Sequence, residues 1–123
     1  MGHPALVGAA ARLENRADTA VMTDLLDRIS ALLGAPARDL DQIEHTLTDG
    51  YACALALEAE QWRLEQRRAQ LTGGIERGDT RKKAQELAEI AKRLDGNSDD
   101  LVELRGRLSE LRRHAGAVRI ASL

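Results

Sequence analysis

The chain has no phenylalanine, and only one tryptophan and one tyrosine among its 123 residues. Sheets draw their packing from β-branched and aromatic side chains, whereas the apolar share here comes from Leu and Ala, beside abundant Glu, Arg and Gln. That composition suits long helices and excludes a sheet-built core. There is a single cysteine, Cys53, so no intrachain disulfide can form, and its alanine-rich helical surroundings predict a small buried thiol in a reducing cytoplasm. No apolar run approaches the ~20 residues of a membrane span. The N-terminal stretch ALVGAAA lacks a cationic flank and is soon interrupted by Arg12, Glu14 and Arg16, so it does not read as a secretory signal. Nor is there an excess of either charge: 18 basic against 20 acidic residues give a net charge of −2, leaving no global field to draw nucleic acid or a membrane surface. A soluble chain of this length is expected to form one structural unit.

The first boundary on the chain is LLGAPARD, residues 32–39. Gly34 suits the residue after a helix, and Pro36 bars continuation while it can open the next helix. Upstream, Met22, Leu25, Leu26, Ile29, Leu32 and Leu33 mark one helical face, which predicts a short helix over about 22–33. Residues 1–21 carry weaker spacing at Leu6, Ala10, Leu13, Ala17 and Val21 and read as an accessory segment, a marginal helix in need of a partner. Met22 then reads as an alternative initiation site.

From Ala37 to Leu71 no proline interrupts, and Ile43, Leu47, Gly50, Ala54, Leu57, Leu64 and Leu71 follow alternating steps of three and four, with the intervening seam positions taken by Gln61 and Arg68. This predicts a helix over about 37–71, roughly 50 Å long at 1.5 Å per residue. Leu40, Tyr51, Leu55 and Trp62 widen its apolar face, so it is expected to touch more than one neighbour. Gly50 within it either permits a close approach or is merely tolerated. Further on, Leu87, Leu94, Leu101 and Leu108 recur every seven residues, with Ile90, Asn97, Leu104 and Leu111 three residues behind. Such a seam is the signature of coiled-coil packing. Its register passes through LDGNSDD without a slip, which favours one helix over about 79–115 with a weak point at Gly96. Asn97 is then a polar seam residue of the kind that sets register and oligomeric state.

The long segments are joined only by TGGIERGD, so they are expected to fold back as a helical hairpin. Charges support the pairing: it brings Asp39 and Asp41 near Arg112 and Arg113, Glu44 near Arg107, and Glu58 and Glu60 near Lys92 and Arg93. The expected fold class is therefore all-α, an antiparallel long-helix coiled-coil hairpin with a short N-terminal helix, forming a single domain over 22–123. A lone hairpin leaves apolar faces uncovered, and two copies can close a four-helix bundle. Homodimerisation is the first expectation, with a helix of another protein as the rival. The expected seam comprises Leu57, Leu64, Leu87, Leu94, Asn97, Leu101, Leu104, Leu108 and Leu111.

Near the turn the charge balance shifts. Arg63, Arg67, Arg68, Arg77, Arg81, Lys82 and Lys83 face few acids there, namely Glu65, Glu76 and Asp79. A basic tip formed by Arg67, Arg68, Arg77, Arg81, Lys82 and Lys83 could meet phosphates, with counterion release, or an acidic protein surface. By architecture the tip resembles the coiled-coil hairpins of Gre-type transcript-cleavage factors, in which acidic residues at the tip manage a metal. Glu76 and Asp79 stand here among cations, and no residue roles carry over. Asp41, His45 and Asp49 share a stripe at steps of four, but the Glu-x-x-His pattern of di-metal bundles is missing, so neither metal nor cofactor is expected. The glycines at 73–78 follow a helix rather than a strand, and no serine sits in a nucleophile elbow. The expected function is a non-enzymatic, cytoplasmic interaction or adaptor module acting through coiled-coil helices. The alternative is a basic-tipped hairpin that binds nucleic acid or a ribonucleoprotein.

Overall fold

The computed structural model of the protein describes residues 20–34, 39–73 and 80–121, and all but Asp39 are helical. Three helices and no strand occur among the described residues: α1 over residues 20–34, α2 over Leu40–Gly73 and α3 over Thr80–Ala121. Most of the accessory segment, Pro36, and the turn with Arg77, Glu76 and Asp79 lie outside the described residues, as does His3. Gly34, read from sequence as the residue after α1, is itself helical.

The start of α2 is set by Asp39. Its side-chain Oδ1 accepts from the Gln42 backbone N–H at 3.2 Å, and its carbonyl accepts the first helical bond, from the Ile43 N–H, at 3.2 Å. One of the orphan donors of the first turn is thereby satisfied. Helix α3 runs for 42 residues, through Gly96 and Asn97 without a break and beyond position 115.

The chain divides into two compact units, with boundaries inside α2 after Asp49 and inside α3 after Ser109. In the first, α1 meets the opening turns of α2 and the last turns of α3. Its buried side chains are Met22, Leu25 and Ile29 from α1, Ile43 and Thr46 from α2, and Leu111 and Ala115 from α3. The spacing of Met22, Leu25 and Ile29 puts them on one side of α1, while Leu26, Leu32 and Leu33 are half-buried. Arg28 ties α1 to α2 by donating to Thr46 Oγ1 at 3.3 Å and Asp49 Oδ2 at 3.1 Å. Glu44 accepts from Arg119 at 2.5 Å.

In the second unit, Gly50–Ser109, the described residues are the part of α2 from Gly50 on and the part of α3 up to Ser109. Its core takes Ala54, Leu64 and Leu71 from α2 and Ile90, Leu94, Leu101, Leu104 and Leu108 from α3. Leu64, Leu71, Ile90 and Leu94 form one cluster with Leu87 packed against it. Burying each such leucine contributes about 1.5–3 kcal/mol. Across the unit, positions ascend along α2 as they descend along α3: Glu58 meets Arg105, Glu60 meets Arg93, and Arg67 meets Glu86. Gly50 faces Leu108, and a Cβ at Gly50 would overlap Leu108 Cδ2 and stand 3.3 Å from its Cγ. The glycine is there for close approach.

This register differs in part from the one drawn from charges. Glu60 and Arg93 do pair, at 2.7 Å, but Glu58 reaches Arg105 rather than Lys92 or Arg93, and within the first unit Glu44 takes Arg119. Exposed ion pairs are each worth below ~1 kcal/mol and yield to packing. The seating of Leu108 against Gly50 is the kind of contact that sets where the helices meet.

Candidate functional site

The expected leucine seam is filled within the chain. Leu64, Leu94, Leu101, Leu104, Leu108 and Leu111 are buried, and Leu57, Leu87 and Asn97 are half-buried. Most of the seam's apolar surface is thus covered before any partner arrives. Asn97 Nδ2 is buried without a hydrogen-bond partner, as is His114 Nε2 near the end of α3.

The basic end is more balanced than the sequence count suggests. Arg67 holds Glu86 with two hydrogen bonds, Nε to Oε1 at 2.8 Å and Nη2 to Oε2 at 3.3 Å, and this raises the Arg67 pKa above its ordinary value. Arg63 donates twice to Glu60. Arg68, Arg81 and Lys82 are exposed and Lys83 is half-buried. Glu86 sits on the opposite helix, nineteen positions from Arg67, so a tally of charges close to the turn overlooks it.

The polar stripe Asp41, His45, Asp49 is likewise engaged. Asp49 accepts from Arg28, and His45 Nε2 stands 3.8 Å from the same carboxylate oxygen. A cation competing for Asp49 would have to displace the guanidinium. A groove of about 610 Å³ beside it is lined by Arg28, Ala31, Leu32, Asp41 and His45, among others. Its principal cation, Arg28, is already committed to Thr46 and Asp49.

What stays uncovered is the opposite side of α2. At 100° per residue, Tyr51, Leu55 and Trp62 fall within about 40° of one another, and they are 38%, 66% and 62% exposed. Ala52, Ala56 and Ala59 between them are exposed too. The outward side of α3 over the same unit is different in kind, with Lys92, Asp95, Asp99 and Glu103 exposed and Val102 as its large apolar exception. Both aromatic side chains of the whole protein thus stand on one apolar stripe facing solvent. The sequence signalled this through the widened face of α2; which neighbour each half of that face would meet was decided by packing.

No described helix is long and apolar enough to cross a membrane. Comparison with protein-family models, with curated proteins and with solved structures finds no match.

Proposed function

We propose that the protein is a non-enzymatic interaction module, an antiparallel coiled-coil hairpin acting in the cytoplasm as an adaptor, whose docking surface is the outer face of α2. One observation carries the reading: the single Trp and the single Tyr stand with Leu55 on an exposed stripe while the leucine seam is used internally. Trp and Tyr are the residues most enriched where interface energy concentrates, and a contiguous apolar patch on a small chain marks an interaction site more often than a scattered one does. The pairing of Arg67 with Glu86 and of Arg63 with Glu60 lowers the positive field near the turn, which favours a protein partner over nucleic acid.

The test is Trp62→Glu. Because Trp62 is exposed, the variant should keep the helical circular dichroism and the melting temperature of the wild type, while a protein that co-purifies with the wild-type chain is lost. Unchanged co-purification would remove the outer face of α2 from the reading.

A further inference from the structure

We propose that the outer face of α2 receives a second copy of this chain, in parallel orientation, about a two-fold axis running alongside Ala52–Trp62. The inference rests on the interaction reading above and adds the partner and its register.

Along the exposed stripe, Ala52, Leu55, Ala59 and Trp62 advance by three, four and three residues, the spacing of alternate a and d positions in a coiled coil. This is a second heptad row on the same helix, separate from Leu57, Leu64 and Leu71, which are buried or half-buried toward α3. The row alternates small and large: alanines at a let two backbones draw close, and Leu55 and Trp62 at d fill the space between. A two-fold interface uses one patch twice, so the patch must complement itself, and an apolar row of this kind does.

The flanking charges select the orientation. With Ala59 at a, Glu58 occupies g and Arg63 occupies the e position five residues later, and both are exposed. In a parallel pair, g of one helix lies beside that e of the other, so Glu58 of each copy meets Arg63 of its mate, twice by symmetry. In an antiparallel pair centred on the same row, Glu58 would face Glu58, which like charges disfavour, and Arg63 would lie toward Asp49 of its mate, a carboxylate that Arg28 already holds. Within one chain Glu58 is held by Arg105 and Arg63 by Glu60, each at the surface, where such bonds are weak enough to be shared or exchanged.

Sedimentation of the full chain from micromolar to millimolar concentration tests the proposal. Since Trp62 is the only tryptophan, its emission should shift to the blue over the range in which the mass doubles. Glu58→Arg and Arg63→Glu should each weaken the dimer about tenfold, and the two together should restore it to within about threefold. In a Cys53→Ala background, Ala52→Cys should form a disulfide between copies on oxidation, because only the parallel arrangement brings the two Ala52 positions together. A dimer with no such cross-link and no rescue by the double reversal overturns the parallel register. A wild type that stays monomeric at millimolar concentration overturns the second copy as occupant, and leaves the docking face itself to the Trp62→Glu co-purification test. A dimer indifferent to Trp62→Glu overturns both this inference and the choice of face.

Discussion

At the scale of single residues, Gly50 shows how a local cost can serve packing. A glycine inside a helix costs ~1 kcal/mol relative to alanine, yet Leu108 is almost wholly buried and fills the space an alanine methyl would need. Overpacking a tight core costs about 1–3 kcal/mol, so Gly50→Ala should lower stability by about 1 kcal/mol net, read from denaturant unfolding. Leu108→Ala alone should cost about 2–5 kcal/mol. In that background Gly50→Ala should become neutral or stabilising, and the double-mutant cycle measures the contact directly. Additivity of the two changes would mean that they do not touch. The sequence offered close approach and mere tolerance as equal readings of Gly50, since only the position of Leu108 separates them.

Asp100 is the corresponding case in electrostatics. Burial, then the neighbouring charges of Glu103 and Asp99, hold its carboxyl above the ordinary value of 3.8. The folded chain therefore binds the proton more tightly than the unfolded one, and stability falls as pH rises from about the ordinary value through the raised one. Replacing the carboxylate removes that cost. Asp100→Asn should raise the melting temperature at neutral pH, and the gain should shrink to nothing in acid, below the ordinary carboxylate range. A gain that is the same at every pH would mean that the charge is not its source.

At the scale of elements, α2 begins where Asp39 caps it. Asp39→Ala should cost about 1 kcal/mol, read as a lower melting temperature, whereas Asp39→Asn keeps an acceptor for the Gln42 N–H and should lose less. Equal losses would assign the effect to charge at the helix N-terminus rather than to the cap. The existence and type of all three helices could be read from apolar spacing, because a side-chain row every three to four residues has one helical solution. Their ends were less legible. Pro36 suggested a helix from 37, but the capping bond depends on the Asp39 carboxylate reaching the backbone N–H three residues on, which any residue but proline at 42 would supply. Across Gly96 and Asn97 the unbroken heptad register was the better guide than local helix propensity: tertiary contacts on both sides hold α3 continuous.

At the scale of the whole molecule, the seam shapes what a mutation there should do. Leu101 is buried inside the chain, so Leu101→Glu places an unpaired charge in the core. The expected outcome is loss of helical signal and of cooperative melting even in dilute monomer. A variant that stays folded and merely changes its mass would place Leu101 between copies instead. Changes on the outer face of α2 should behave in the opposite way, sparing the fold and altering association, and this contrast separates the two heptad rows.

Composition and spacing by themselves determined that the chain is helical, where its long helices lie and which of their rows are apolar, because these follow from backbone geometry and local side-chain preference. Tertiary structure alone decided which apolar row is consumed and which remains. Two rows on α2 are both legible as hydrophobic, but only the one bearing Leu64 and Leu71 meets α3, while Leu55 and Trp62 are left in solvent. It also decided the register, because weak surface charges admit several pairings and the fit of Leu108 against Gly50 admits far fewer.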